Sequence, residues 1–389
     1  MQNRFLSALI VVLLSGCYAT TDKYELKRDP ADTLAITPAI IPGNIDQQEF
    51  RKIFNAADNF YESSLKPSRF NGGILVAKKG QIVFESYDGY QNHWSKELID
   101  SATSFHLASV SKTFTGMAVL KLWEEGRLQL NDNVANYLPG FPFEGVTIKT
   151  LLNHRSGLPN YVHFMEELGW DKKRIVQNQD ILQFMIDNKQ KLNVAKADRR
   201  FSYSNTNYAL LALIIEKVSG RTYTNYLQET FFLPLGMNHT FVFSIEKAKD
   251  VLPSYNWRNK QEAFTFLDAV NGDKNIYSTP RDLLKWDYAL SYGNLFKQST
   301  LDSAYAGYSF EKPGIKNYGL GWRMYQYPNG KKIIYHNGWW HGNNTVFSRL
   351  TGDSATVIVL GNKYNRRIYD AKKIFSAFDG YSTEAEGDE

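Results

Sequence analysis

Ser109-Val110-Ser111-Lys112 is the stretch of the sequence that decides the fold, and it stands directly before the apolar run of residues 113–122. The run predicts a buried helix whose first turn carries a serine and a lysine. Residues i and i+3 share one face of a helix, so the lysine can reach the serine hydroxyl. The unpaired N–H groups at a helix start can also bind an oxyanion. The pair therefore predicts Ser109 as a nucleophile with Lys112 as its proton partner.

The Ser-x-x-Lys pattern is weak by itself, because it occurs in three other places. These are Ser63/Lys66, Ser244/Lys247 and Ser309/Lys312. Only Ser109 opens a strongly apolar helix, and this context distinguishes it from the other matches. The prediction of Ser109 therefore depends on the helix start and not on the spacing.

Tyr203-Ser204-Asn205 is a second candidate set, because a phenol can shuttle a proton and an amide can hold a substrate. The pattern is common in a chain with 24 tyrosines, and an accidental match stays open. It recurs at Tyr90/Asn92, Tyr223/Asn225 and Tyr327/Asn329. Tyr203 is favoured since it lies in a polar segment just before the helix predicted over residues 207–219.

His336-Asn337-Gly338 is the third candidate and the only His-x-Gly of the chain. A histidine at a strand end can donate to a substrate carbonyl or carboxylate, and glycine lets the backbone approach closely. Taken alone, such a histidine is more often structural. Trp339 and Trp340 follow, and either a cleft floor or a place in the core suits them equally.

Strand patterns occupy both ends of the chain and helical patterns its middle. Strands are predicted over 73–77, 82–87, 319–327, 332–336, 345–350 and 355–360. Helices are predicted over 46–65, 112–125, 148–154, 181–188, 207–219, 223–233, 279–291 and 367–378. This order predicts one sheet built from both ends of the chain, with a helical insertion.

The N-terminus is similar to a bacterial lipoprotein signal. Arg4 precedes the apolar run of residues 5–14, and Leu14-Ser15-Gly16 leads into Cys17, the only cysteine. Such a run is long enough for a signal peptide and too short to span a membrane. The resemblance implies export to the cell envelope, on the periplasmic or outer-membrane side, with a lipid anchor on Cys17. The alternative is a simple secretory signal with an incidental cysteine.

Composition argues against several other functions. The net charge of +5 is small and no basic run is present, so a nucleic-acid partner is not expected. The seven histidines form no His-Glu-x-x-His and have no cysteine partners, so neither a metal nor another cofactor is expected. No pattern indicates an obligate protein partner.

The three motifs occur in one order together with further stretches, at 128–132, 151–158, 276–283 and 318–322. In these features the sequence resembles the serine β-lactamase and penicillin-binding protein superfamily, over roughly residues 71–362. The similar branch is class C-like and includes esterases, DD-peptidases and D-aminopeptidases. His154 and Arg155 belong to the second of these stretches, where packing and loop geometry are favoured over catalysis.

The resemblance implies an α/β fold of the β-lactamase/transpeptidase type, an antiparallel sheet flanked by helices plus an all-helical inserted domain. The predicted division of the chain is a signal peptide at 1–16, a tether at 17–44, a hydrolase domain at 45–380 and an acidic tail at 381–389. Within the hydrolase domain, the sheet comes from 45–108 and 318–380, and the helical region is 109–317.

The resemblance also implies site roles. Ser109 forms an acyl-enzyme, Lys112 and Tyr203 share the proton transfers, and Asn205 holds the substrate amide. His336 takes the place of the lysine in the Lys-Thr-Gly triplet of β-lactamases, and Gly338 corresponds to the glycine of that triplet. The backbone N–H groups of Ser109 and Trp339 form the oxyanion hole. A histidine is only partly charged near neutral pH, which predicts a weaker carboxylate anchor than lysine.

The expected function is therefore hydrolysis of small esters, amides or D-amino-acid peptides through a Ser109 acyl-enzyme. A β-lactamase is one alternative, disfavoured by the histidine of the third motif. A non-catalytic penicillin-sensing or peptidoglycan-binding lipoprotein is an alternative of another class, disfavoured by the complete set of Ser109, Lys112, Tyr203 and Asn205.

Overall fold

The computed structural model describes residue 40, residues 42–293 and residues 295–381. These residues all lie in one unit, Ile36–Glu389. The predicted signal peptide, the lipidation site Cys17, most of the tether and all but the first residue of the acidic tail lie outside the described residues.

The strands of the described residues form two groups along the chain, at 72–106 and 316–361, with two short strands between them. They are β1 (Gly72–Lys78), β2 (Gln81–Asp88), β3 (Tyr90–Asn92), β4 (Glu97–Leu98), β5 (Phe105–His106), β6 (Phe241–Val242), β7 (Ile276–Ser278), β8 (Lys316–Tyr318), β9 (Arg323–Gln326), β10 (Lys332–Trp340), β11 (Asn343–Leu350) and β12 (Ala355–Gly361). Seven of them form an antiparallel sheet in the order β2-β1-β12-β11-β10-β9-β8. This sheet joins both ends of the described chain, and β5-β7-β6 forms a small second sheet.

Helices fill the middle of the chain and flank the sheet. They are α1 (Gln47–Phe60), α2 (Ser111–Glu124), α3 (Ile148–Leu152), α4 (Tyr161–Glu167), α5 (Asn178–Asp187), α6 (Asn205–Ser219), α7 (Tyr223–Leu227), α8 (Pro280–Tyr292) and α9 (Gln298–Ala304). The Asp46 carboxylate caps α1 by accepting from two backbone N–H groups. The helices and the seven-stranded sheet together confirm the predicted α/β fold class.

Strand β1, next to the edge strand β2, is buried on both faces, as the apolar run of residues 73–77 requires. Ile74 and Val76 pack on one face with α1 and the closing segment Arg366–Ala377. Leu75 and Ala77 point to the other face, where the helical region packs. The closing segment is a run of tighter 3-10 turns where the sequence predicts an α-helix.

The predicted strand over 319–327 is wrong in its first half, because residues 319–322 form a break in strand structure between β8 and β9. Gly321 there has a φ of +92°, which only glycine adopts readily. A Cβ on Gly116 of α2 would come within 3.1 Å of the Gly321 Cα. The break therefore lets this loop touch the backbone of α2.

Helices α2 and α6 form the centre of the helical region and pack against each other. Residues 111–120 of α2 and 206–215 of α6 are all buried, so both helices are covered on every side. The first and second motifs lie at the beginnings of these two helices. No helix in the described part of the chain has the length and apolarity needed to cross a bilayer.

Candidate active site

Ser109 lies in a 3-10 turn, Ala108–Val110, that leads into α2. The sequence predicts Ser109 at the start of this helix, and the structure places it in the turn just before the α-helix. Lys112 Nζ donates to Ser109 Oγ at 3.1 Å and to the Asp273 carbonyl at 2.6 Å. The lysine is wholly buried. The predicted Ser-Lys pair is thus hydrogen-bonded before any substrate binds.

The residue before the nucleophile, Ala108, has a left-handed φ of +48°. Such a conformation is costly for alanine and persists only when the surroundings hold it. The His106 imidazole does so on one side, where Nδ1 accepts the Ala108 N–H at 3.1 Å. On the other side, Thr345 Oγ1 donates to the Leu107 carbonyl at 2.8 Å. The turn is therefore held by both sheets.

The surroundings of Gly338 explain why the third motif ends in glycine. A Cβ at this position would lie 2.3 Å from Thr345 Oγ1 and 2.5 Å from the Leu107 carbonyl oxygen. No side chain fits into this space, because real carbon atoms do not approach so closely. Strand β10 can therefore pass directly beside the nucleophile turn only with glycine here.

Residues 268–276, which we call the cradle, are hydrogen-bonded to α2. The Asp273 carbonyl accepts from Lys112 Nζ, and the Gly272 carbonyl accepts from Thr115 Oγ1 at 2.6 Å. The Ile276 N–H donates to Ser111 Oγ at 3.1 Å. Sequence reasoning missed the cradle, since its contacts use backbone atoms, which leave no residue pattern.

Tyr203 lies beside Lys112. Lys112 Nζ is 5.1 Å from the centre of the Tyr203 ring and 5.7 Å from the centre of the Tyr208 ring. An ammonium at this distance is attracted by the aromatic face. Asn205 begins α6, and its Oδ1 is buried without a hydrogen-bond partner in the described structure. The fold thus brings the second motif to the first, with one polar acceptor left over.

His336 is wholly buried, and protein groups bind both of its ring nitrogens. Nδ1 is 2.7 Å from the Asn337 carbonyl and Nε2 is 3.2 Å from Tyr318 Oη. A carbonyl only accepts, so Nδ1 carries the proton and Nε2 accepts from the tyrosine. Burial, and then the charges of Arg323 and Lys112, hold the pKa of His336 well below 6.5. Its role as a direct substrate anchor stays a prediction.

Arg323, at the start of β9, is the partly exposed cation beside this histidine. Its Cζ lies 5.2 Å from the centre of the Tyr203 ring. Sequence reasoning missed it, although it directly follows the stretch 318–322 that carries the family resemblance. The positive charge that the third motif lacks is therefore present on the neighbouring strand.

The two tryptophans of the third motif differ in their surroundings. Trp339 is 64% exposed and pairs with Asn344 in the ladder between β10 and β11. Trp340 packs against the Lys274 ammonium, 4.6 Å from its ring, and donates to Asp268. Trp339 therefore belongs to the rim of the site, whereas its oxyanion-hole N–H stays a prediction.

Within the described ranges, no three His, Cys, Asp or Glu side chains are grouped so that they could hold a metal ion.

The site combines a serine that is hydrogen-bonded to a buried lysine with a seven-stranded antiparallel sheet and a helical insertion. This combination defines the class of β-lactamase-fold serine hydrolases. The family model described as Beta-lactamase matches residues 58–377. The chain belongs to this family.

Similar proteins include a penicillin-binding protein, a penicillin-binding protein homologue and an amidase. Penicillin-binding protein 4* of Bacillus subtilis (strain 168) is 33% identical over 326 residues, which cover 80% of this chain and 72% of the relative. The penicillin-binding protein homologue from Pyrococcus abyssi superposes with a TM-score of 0.70 at 26% identity, over 82% of this chain and 75% of that one. The D-amino acid amidase from Ochrobactrum anthropi SV3 has a TM-score of 0.67 at 22% identity, over 85% and 98%, and shows the shared fold.

Proposed function

We propose that this chain hydrolyses small peptides, or related amides and esters, of the D-amino-acid type, through an acyl-enzyme on Ser109. The preferred substrate ends in a free carboxylate. The observation that carries the reaction type is the 3.1 Å contact between Lys112 Nζ and Ser109 Oγ, made in a buried position. The name of the penicillin-binding relative agrees with this substrate class.

Acylation begins when Ser109 Oγ attacks the substrate carbonyl carbon and gives up its proton to the Lys112–Tyr203 pair. The tetrahedral intermediate collapses as the C–N or C–O bond breaks and the leaving group takes a proton from Tyr203. An ester of Ser109 remains. Water then attacks this ester and its proton passes to Tyr203; as the ester C–O bond breaks, Tyr203 returns a proton to Ser109 Oγ, and the acid product and free Ser109 are released.

Asn205 supplies one contact to the substrate backbone. Its Oδ1 is a buried acceptor without a partner in the described residues. A buried polar atom without a partner costs free energy, roughly 1–3 kcal/mol, which an incoming N–H would recover. This favours an amide N–H of the substrate at this position.

Arg323 supplies the carboxylate site. Its guanidinium lies against Tyr203, while neighbouring His336 is neutral because burial holds its pKa well below 6.5. A guanidinium binds a carboxylate through paired hydrogen bonds and keeps its charge at any physiological pH. We therefore assign the anchoring of the substrate carboxylate to Arg323.

Covalent labelling tests the nucleophile. We expect Ser109→Ala to abolish labelling by a fluorophosphonate and by a fluorescent penicillin, since both acylate or phosphonylate a serine hydroxyl. Ser63→Ala, which changes the exposed serine of another Ser-x-x-Lys match, serves as the control and keeps its labelling. Equal labelling of the Ser109 variant and the unchanged protein would exclude the proposed nucleophile.

A matched pair of substrates tests the carboxylate site. Arg323→Gln is expected to lower kcat/KM for a D-Ala-D-Ala peptide by about ten- to a hundredfold, the size of a lost charged hydrogen bond. Hydrolysis of the same peptide with a C-terminal amide should change less than about threefold on the same scale. Equal losses for both peptides would show that Arg323 does not bind the carboxylate.

Nitrocefin separates the alternatives in the same assay. A β-lactam also carries a carboxylate, so Arg323 alone does not distinguish a peptidase from a β-lactamase. We expect slow nitrocefin turnover relative to the peptide. Labelling by penicillin without turnover of any peptide or ester would instead favour the non-catalytic sensor.

We further propose that Cys17 carries a lipid that tethers the hydrolase to the cell envelope. This rests on the sequence around Cys17, which lies outside the described residues. The full chain expressed in a bacterium should fractionate with membranes, and Cys17→Ala should move it to the soluble fraction. If both forms remain with the membrane, the lipid anchor is wrong.

A further inference from the structure

We infer that His154 is a positioning residue for Tyr203, holding the phenol in place for proton transfer. The inference rests on the proposed function, because it assigns a task to a residue behind the reacting groups. The sequence favours only packing and loop geometry for this histidine. Its contacts in the structure converge on the tyrosine.

Hydrogen bonds from His154 hold both chain neighbours of Tyr203. Its carbonyl accepts the Ser202 N–H at 2.8 Å, and its Nδ1 accepts the Ser204 N–H at 3.2 Å. The backbone on each side of the tyrosine is therefore fixed to one residue. A loop residue held at both flanks has little freedom to swing its side chain.

The imidazole ring also limits the tilt of the phenol. The centres of the His154 and Tyr203 rings are 4.3 Å apart, with 35° between their planes. Tyr208 and Tyr318 contact other parts of the histidine ring, at 5.1 Å and 4.9 Å. Since these two tyrosines are buried, they keep the imidazole from moving away from Tyr203.

A second layer fixes the tautomer of the histidine. Asn207 Nδ2 also lies 3.2 Å from Nδ1, and Asn207 Oδ1 accepts from Ser156 Oγ at 2.7 Å. Two donors point at Nδ1, so this atom is an acceptor and the proton is on Nε2. Burial, followed by the charges of Lys112 and others, holds the pKa of His154 well below 6.5, in agreement with a neutral ring.

Simple packing would not need this arrangement. A phenylalanine would fill the same space between the tyrosines, but it has no acceptor for the Ser204 N–H. His154 also has a left-handed φ of +56°, a conformation that asparagine tolerates better than most residues. His154→Asn therefore keeps a hydrogen-bond acceptor in the side chain but loses the aromatic ring, whereas His154→Phe keeps an aromatic ring but loses the acceptor.

The test is a double-mutant cycle. His154→Phe and His154→Asn are made alone and together with Tyr203→Phe, and the rate of Ser109 acylation is measured with a nitrophenyl ester and a fluorophosphonate. If His154 acts through Tyr203, His154→Phe slows acylation about ten- to a hundredfold with little change in KM. In the Tyr203→Phe background the same change should cost less than about threefold. His154→Asn should lose less than His154→Phe.

Two controls keep the outcomes distinct. His163→Phe, at an exposed position of α4, should leave acylation unchanged. Thermal unfolding of each variant shows whether it folds, and if His154→Phe does not, the His154→Asn cycle decides. Equal losses with and without the Tyr203 phenol would overturn the inference and leave His154 a structural residue. If acylation of the unchanged protein does not depend on Ser109, the proposed function itself fails, and this inference fails with it.

Discussion

The turn that carries Ser109, residues 107–112, and the end of strand β10, residues 338–340, meet at the site but are built differently. Lys112 in the turn is wholly buried and bonded to both Ser109 and the cradle. At the strand end, Trp339 is 64% exposed. The partly exposed Arg323 lies on the adjacent strand β9. One region is a closed hydrogen-bonded unit, and the other forms part of an open rim.

This difference separates two tasks. Groups that move protons must be held within a fraction of an ångström, which burial and several partners achieve. Groups that select the substrate must be reachable from solvent. We therefore expect changes in the turn to alter the rate with every substrate, and changes at the rim to alter the choice among substrates.

Lys112→Met gives the largest expected effect. It removes the Nζ amino group and keeps the shape, so acylation should fall on the order of 10²- to 10⁴-fold with every substrate, as for loss of a general base. The free energy of unfolding should be unchanged or higher, since an apolar group replaces a buried polar one. Acylation kinetics and urea unfolding measure the two quantities. A loss confined to carboxylate substrates would break the division of tasks.

Gly338→Ala tests the place where the two regions touch. The added Cβ collides with Thr345 Oγ1 and the Leu107 carbonyl, so β10 must move away from the turn. We expect a destabilisation of about 1–3 kcal/mol, typical of overpacking, with slower acylation of all substrates. Gly330→Ala, with open space around its Cβ, is the control for a glycine change, although its φ of +84° adds some strain. Unchanged acylation in Gly338→Ala would show that contact with the strand does not hold the turn.

His106 links the turn to the pH dependence of stability. Burial lowers the pKa of His106 from 6.5 to about 4. The unfolded chain therefore takes up this proton first as the pH falls, and the folded state loses stability between pH 6.5 and about 4. The loss amounts to about 3 kcal/mol from this group. Urea unfolding of His106→Gln at pH 7 and pH 4.5 should show a smaller difference than the unchanged protein, and an equal difference would contradict the assignment.

Trp339→Ala gives the smallest effect. The side chain is mostly exposed, so the free energy of unfolding should change by less than about 0.5 kcal/mol. Turnover of a small nitrophenyl ester should be nearly unchanged, while KM for a longer peptide rises. Comparison of the two KM values measures this. A large loss with the small ester would place Trp339 in the catalytic unit instead of the rim.

Much of the fold was predictable because its signals are local. The burial of β1 on both faces, the apolar sequence of α2 and the cap at Asp46 follow from signals within short stretches of sequence. The break at Gly321 was not predictable, because its cause is the backbone of α2, about 200 positions earlier in the sequence.

The sequence by itself determined the candidate nucleophile and its lysine, because they stand at the start of an apolar helix, and the family, because its motifs occur in one order along the chain. The tertiary structure alone decided that His336 is buried and neutral, that Arg323 supplies the nearby charge, and that His154 lies behind Tyr203. Charge state and proximity depend on which distant segments exclude water from a group. No spacing within a motif records that.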